Sequence, residues 1–256
     1  MNETASSATS PTFDLEALRR GARSVRHPLT RALLALTFTT GLVDAVSYLG
    51  LGRVFTANMT GNVVLLGFGI AGSGGLPVLA PIISLVAFLL GAVVGGILSK
   101  RLLERHPEHL GAALAVEVTM IGIAAIVAAI VTVRQRAFSG DLLIALLAFA
   151  MGVRNATVRK IAVPDLTTTV LTGTLTALAA DSPLTGGTGR GLTRRAATIV
   201  AMLVGAIAGA LMLKTSLALP LVVAAALAAL TWLVYVPGAR REIRAAHRQE
   251  RENETR

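Results

Sequence analysis

The feature that most constrains this chain is an internal duplication whose matching parts are both apolar and interrupted. Gly41-Leu-Val-Asp44-Ala45, followed by Thr56-Ala-Asn58-Met59-Thr60-Gly61-Asn62, is echoed by Gly152-Val-Arg154-Asn155-Ala156, followed by Thr168-Thr-Val-Leu171-Thr172-Gly173-Thr174. A third match pairs Leu90-Gly91-Ala92-Val-Val-Gly95 with Val204-Gly205-Ala206-Ile-Ala-Gly209. Duplicated halves with polar interruptions at corresponding places point to a transporter-type architecture, in which the broken segments meet at the substrate site.

The surrounding sequence requires a membrane. Of 256 residues, 54% are hydrophobic and 15% charged, and several apolar runs reach the roughly 20 residues needed to cross a bilayer. Six segments qualify, at about 31–51, 78–99, 111–133, 141–161, 195–214 and 217–236. Two more, about 55–72 and 164–181, open with Thr-rich, β-branched leaders that read as extended chain. Each has too little helix-compatible sequence left to cross unaided. The predicted fold is therefore all-α: six transmembrane helices plus two short re-entrant half-helices. Such backbone is tolerated at membrane depth only inside protein or along a wet cavity, so both short segments are expected to be enclosed by the six spans.

Charge placement selects the topology. If the short segments dip in and return, 19 of the 24 Lys and Arg residues collect on the side of the N-terminus, including Lys100, Arg101, Arg159, Lys160, Arg194 and Arg195. The other side keeps Arg53, Arg134, Arg136 and Lys214, while Arg154 lies within a span. The positive-inside rule then puts both termini in the cytoplasm of a bacterial inner membrane. Three spans per half is an odd number, so the halves, about 31–133 and 141–236, form an inverted 3+3 repeat. Residues 1–28 and 238–256 read as basic cytoplasmic tails around one membrane domain, 29–237. The net charge of +10 follows from these tails and loops, and no aromatic-and-basic platform for nucleic acid is present.

Several residues could carry chemistry. Asp44 lies deep in the first span, where a carboxylate is costly and faces a cavity or a partner; it is a candidate coupling acid or a helix-locking group. Arg154 and Asn155 occupy the corresponding place in the fourth span, with Asn155 the positional equivalent of Asp44. An Asp44–Arg154 pair is one expectation, and reception of an anion by Arg154 is another. Glu117, in the third span, suits a structural or a coupling role. Arg159 and Lys160 are expected to snorkel toward the cytoplasm. In the short segments, Thr56, Asn58, Thr60 and Asn62, then Asp165, Thr167, Thr168, Thr169, Thr172 and Thr174, can cap helix starts. Two half-helix starts at membrane depth would turn spare N–H donors and positive dipole ends toward a small polar or anionic solute. Asn58, Thr60, Asn62, Thr168, Thr172 and Thr174 are the candidate substrate-binding residues, and Asp44, Arg154, Asn155 and Asp165 the candidate charge and coupling residues. Gly91, Gly95, Gly96, Gly205 and Gly209 read as helix-packing positions.

Catalysis and cofactors find no support. Cysteine is absent, and the four histidines fall in tails or loops. No nucleophile–base set, phosphate-binding loop or metal-ligand spacing appears, so neither an enzyme nor a cofactor or metal protein is expected.

The strings Gly41-Leu-Val-Asp44-Ala45-Val-Ser-Tyr48, Val54-Phe-Thr-Ala-Asn58-Met-Thr-Gly-Asn62 and Val163-Pro164-Asp165-Leu-Thr-Thr-Thr-Val resemble the YoaK-like family of bacterial multi-pass inner-membrane proteins, over most of residues 31–236. The resemblance implies a membrane domain and names no substrate. The expected partners are the lipid bilayer and a small polar or anionic solute, without nucleic acid; a homo-oligomer is compatible with this reading. A secondary transporter leads. A channel-like pore and a non-transporting assembly or regulatory protein are the alternatives.

Overall fold

The structure, a computed structural model, describes residues 28–103, 110–161, 171–187, 189 and 191–234. Helices are the regular secondary structure of the described residues. In chain order the helices are α1 (Pro28–Ala45), α2 (Met59–Ile70), α3 (Leu79–Leu103), α4 (Leu110–Ile130), α5 (Phe138–Ile161), α6 (Leu171–Ala180) and α7 (Leu192–Leu213), followed by α8 (Ala218–Val234). Both expected basic tails and the second extended leader, with Asp165, Thr167, Thr168 and Thr169, lie outside the described residues.

Four helices are long and apolar enough to cross a membrane, over Thr30–Gly50, Leu79–Lys100, Phe138–Arg159 and Leu192–Leu213. The apolar stretches Ala115–Ile130 and Ala218–Val234 are shorter, as are α2 and α6.

The polarity of the packing is inverted relative to a water-soluble bundle. Thr39, Thr40, Ser47, Asn62, Ser84, Glu117, Arg154 and Thr198 are buried, while Leu89, Leu90 and Val93 on α3, Leu203, Val204 and Ile207 on α7, and Leu230 and Leu233 on α8 are exposed. The interior also holds an apolar cluster that includes Leu42, Val46, Ile121, Leu147 and Met151; the apolar exterior and the buried polar side chains suit lipid, where hydrophobicity does not drive helices together and small residues and internal hydrogen bonds must. Buried threonines return their hydroxyl protons to their own helices: Thr37 to the Leu33 carbonyl at 2.8 Å, Thr157 to Val153 at 2.8 Å and Thr198 to Arg194 at 2.9 Å.

Glycines set the two closest helix pairs. A Cβ on Gly41 of α1 would strike the backbone of Met202, Gly205 and Ala206 on α7, and one on Gly205 would strike the backbone of Phe38. On the other pair, a Cβ on Gly152 of α5 would strike the backbone of Phe88 and Ala92 on α3, and one on Gly91 would strike that of Phe149. Gly209 is closed off by Leu42 and Ala45, and Gly95 by Val153 and Ala156. These glycines are therefore architectural, as their spacing predicts, whereas Gly96, expected on the same face, has nothing within 4 Å of an added Cβ. In both pairs early residues meet early residues and late meet late, so α1 runs parallel to α7, and α3 parallel to α5.

Loop contacts order the ends of the bundle. Gln135, just before α5, donates to the Gly50 carbonyl at 3.2 Å, and Arg136 donates to Gly75 O at 2.7 Å. The end of α1 and the starts of α3 and α5 thus share one end. At the other end Arg195, near the start of α7, donates to the Ala177 carbonyl at 2.7 Å and pairs with Asp181 at 2.8 Å. This places a cation on the carbonyl-rich terminus of α6, where the helix dipole favours it.

The short segments are less enclosed than expected. Only Asn62 of α2 and Thr174 of α6 are buried. Val63, Val64 and Phe68 on α2 and Leu175 on α6 are exposed, so each short helix presents one face to its surroundings. On α2 that face carries apolar side chains that lipid can solvate; on α6 it also carries Thr176, whose hydroxyl donates to the Thr172 carbonyl of its own helix at 3.0 Å.

Candidate functional site

The last turn of α1 widens into a π-turn over Val46–Gly50, a local distortion common beside functional sites. The chain then turns at Leu51–Arg53 and runs back without helical structure to Asn58. Asp44 receives it: its Oδ1 accepts the backbone N–H groups of Thr56 at 3.1 Å and Ala57 at 2.9 Å. Asn62 holds the same segment from its other side. Its Oδ1 accepts from Phe55 N at 2.9 Å, and its Nδ2 donates to Phe55 O at 2.6 Å and to Ser84 Oγ at 3.0 Å. Ser84 also donates to Phe55 O at 2.7 Å. Backbone groups that water would satisfy in a soluble loop are here satisfied by side chains, as membrane depth demands.

Asn58 then caps α2, its side chain accepting the N–H of Gly61 at 3.3 Å. The N-terminal ends of α2 and α6 open onto one cavity of about 920 Å³. Asn58, Thr60 and Gly61 reach it from the first short segment, Leu171 and Thr172 from the second, and Asn155, Ala156, Val158 and Arg159 from α5. Tyr48, Phe55 and Phe88 supply aromatic wall, the first two stacked with ring centroids 4.8 Å apart.

Of the expected substrate-binding residues, Asn58, Thr60 and Thr172 line this cavity, and Asn62 and Thr174 do not. Asn62 is the buried clamp just described. Thr168 lies outside the described residues. Among the expected charge residues, Asn155 lines the cavity and donates to the Met151 carbonyl at 2.9 Å. Asp165 lies outside the described residues.

The expected Asp44–Arg154 pair does not form. Arg154 is instead committed to Glu117 on α4 in a fully buried ion pair. Its remaining donors reach α1: Nη1 bonds Leu36 O and Thr40 Oγ1, both at 2.8 Å, and Nη2 bonds Thr39 Oγ1 at 2.9 Å. The reason is geometric. Asp44 and Arg154 occupy neighbouring registers of the duplication, and that one-residue difference turns the two side chains about 100° apart around their helices. Asp44 faces the returning leader, while Arg154 faces the α1–α4 crevice. Arg154 Nε and Glu117 Oε2 are buried without hydrogen-bond partners.

Arg159, expected to snorkel toward the cytoplasm, also lines the cavity wall. It is exposed there and makes no hydrogen bond or ion pair among the described residues. The aromatic lining was likewise missed. Its signal was the recurrence of Tyr48 and Phe55 on either side of the α1 break, which places two rings at the mouth of one turn.

No group of three or more His, Cys, Asp or Glu side chains gathers as a metal site among the described residues.

Comparison with known proteins agrees with the inside-out packing. The family described as "Protein of unknown function (DUF1275)" matches residues 32–234. A UPF0700 transmembrane protein, YoaK of Bacillus subtilis (strain 168), is 36% identical over 151 residues, 58% of this chain and 65% of that protein. The chain thus spans slightly under two thirds of the length of the curated relative it matches. No solved structure matches. The chain belongs to the DUF1275 family and is a membrane protein.

Proposed function

We propose that this member of the DUF1275 family is a small secondary transporter that binds a polar or anionic solute between the starts of α2 and α6. One observation carries the reading: two short helices from separate parts of the chain, each too short to cross, begin at the same 920 Å³ cavity. Helix N-termini with capping Asn and Thr residues offer donors to such a solute. Thr60 and Thr172 contact it, and Asn58 and Asn155 orient it. Asp44 fixes the first leader and serves as the coupling acid. Arg154 holds the helices that must move. The protein needs no cofactor and catalyses no covalent step.

The six-span inverted repeat belongs to the same proposal, and the reciprocal glycine contacts support it. Gly41 meets Met202 and Ala206 as Gly152 meets Phe88 and Ala92; Gly205 meets Phe38 as Gly91 meets Phe149. These pairs are related by the duplication read from the sequence. The first helix of each half clasps the third helix of the other. Chain direction favours inversion: α2 returns to the end where α1 finishes, while α6 leads to the opposite end, where α7 begins. The arginine distribution puts that second end, with both termini, in the cytoplasm of a bacterial inner membrane. Alternating access then follows from one clasped pair rocking against the other around the cavity.

Purified protein in liposomes, assayed for uptake of a panel of radiolabelled organic and inorganic anions, tests this. Saturable uptake lost in Thr60→Val/Thr172→Val supports the transporter. Uptake equal to that of empty vesicles for every solute overturns it, and unitary currents in planar bilayers replace it with a pore.

A further inference from the structure

The cavity wall is chemically mixed, and its composition says more about its occupant than its position does. Phe88, Val64 and Leu65, with the stacked Tyr48 and Phe55, supply aromatic and aliphatic lining. Asn58 and Asn155, Thr60 and Thr172, and Arg159 supply polar lining. Arg159 is the sole charged residue among the described lining residues, and no carboxylate lies among them. Its planar fork matches a carboxylate in two parallel hydrogen bonds.

A small hydrated oxyanion fits such a wall poorly. It would exchange water for a lining of which only part can donate, and a charge that loses water without compensating bonds is strongly disfavoured. A cation would meet Arg159 directly. An anionic group carried on an apolar body satisfies both kinds of lining, since the body sheds water onto the rings while the charge stays with the guanidinium. The volume is in the range of pockets that hold organic ligands of roughly drug size.

We propose that the cavity binds an amphipathic organic monoanion, with Arg159 as the residue that recognises its charged group and the Tyr48–Phe55–Phe88 wall as the part that selects its apolar body. This rests on the transporter reading for the location of the site and goes beyond it in naming the class of ligand. A water-soluble aromatic carboxylate and an anionic lipid share this chemistry.

The test is binding to the full-length protein in phosphatidylcholine nanodiscs, read by thermal stabilisation and by displacement of radiolabelled phenylacetate. The competitors are acetate, butyrate, phenylacetate, phenylacetamide and inorganic phosphate, with a parallel set of nanodiscs containing phosphatidylglycerol. Affinity should rise from acetate through butyrate to phenylacetate, and phenylacetamide and phosphate should fail to compete. Arg159→Gln should weaken phenylacetate by at least about tenfold, the size of one lost charge-assisted bond, with Arg159→Lys in between. Because Arg159 is exposed and unpartnered, both variants should unfold at the temperature of the parent. If phosphatidylglycerol competes as well as phenylacetate does, the source of the anion is lipid. Equal binding of phenylacetamide, equal competition by phosphate, or an unaltered Arg159→Gln overturns the inference. Binding as expected without uptake into liposomes overturns transport and leaves the ligand class standing; saturable uptake of phosphate alone does the reverse.

Discussion

Arg154 and Glu117 form an ion pair sealed between α5 and α4, and the same guanidinium reaches across to Thr39, Thr40 and the Leu36 carbonyl on α1. Three helices are thus tied through one side chain. In a low-dielectric interior this works only if both charges are present, because a lone charge keeps its desolvation cost and loses its compensation. Arg154→Met alone and Glu117→Leu alone should each destabilise the protein by about 3–5 kcal/mol, while the double substitution should recover much of the loss. Thermal unfolding of the four proteins in detergent measures the cycle; additive losses would show that the pair is not coupled.

Asp44 acts through geometry that amide chemistry can imitate. Asp44→Asn keeps a carbonyl-type oxygen for the Thr56 and Ala57 N–H groups, and should fold. Asp44→Ala leaves two buried donors without a partner, at about 1–3 kcal/mol each. Comparing folded yield and melting temperature separates the two. If Asp44 is also the coupling acid, Asp44→Asn should abolish proton-driven accumulation in liposomes while sparing solute exchange.

Asn62 and Ser84 grip both backbone groups of Phe55. Asn62→Leu fits the space and removes the bonds, so it should cost about 2 kcal/mol or more and release the ring that stacks on Tyr48. Limited proteolysis should cut the 51–58 segment faster in that variant. Unaltered cleavage would show that the segment is held elsewhere.

Helix packing should respond to glycine position rather than glycine number. Gly91→Val and Gly205→Val, each forcing a side chain into a neighbouring backbone, should both prevent recovery of monodisperse protein. Gly96→Ala, with nothing within 4 Å of the added methyl, should stay within about 0.5 kcal/mol of the parent. Size-exclusion profiles and melting curves distinguish these outcomes. Different behaviour of Gly91 and Gly205 would argue against equivalent interfaces.

The absence of cysteine makes the chain its own background for single-cysteine labelling. Cysteines at Ser73 and Ser139 should react with an impermeant thiol reagent from one side of sealed vesicles, and one at Thr185 from the other. Thr60→Cys should react with a small hydrophilic reagent and be shielded by bound solute; Val204→Cys, on the lipid-facing exterior, should not react. Labelling of Ser73 and Thr185 positions from the same side would rule out inversion.

Apolar run length located the helices to within a few residues, because hydrocarbon thickness imposes itself directly on sequence. Residues 78–99 and 195–214 became Leu79–Leu103 and Leu192–Leu213. The glycine faces were equally legible, since small residues at four-residue spacing leave few other uses. Side-chain direction was not. Whether Arg154 meets Asp44 or Glu117 depends on a rotation of one residue around α5, and sequence spacing does not fix the angle at which separate helices face each other. Asn62 was read as a ligand residue because its type and position suit one, yet the same amide serves equally well to replace missing backbone partners. Arg159 was expected to snorkel, and its exposure is compatible with that; its place on the cavity wall depends on how α5 faces the two short helices, which sequence spacing does not fix.

The crossed glycine contacts bear on how such a chain comes to fold at all. Neither half contains a mate for its own first helix: α1 waits for α7, and α3 stays half-covered until α5 arrives. Completion of the bundle in the bilayer is therefore a late event that needs the last quarter of the polypeptide. A ribosome-bound intermediate ending before Leu192 should be prey for membrane proteases, whereas two fragments severed between Ile130 and Phe138 and made together should find each other and survive.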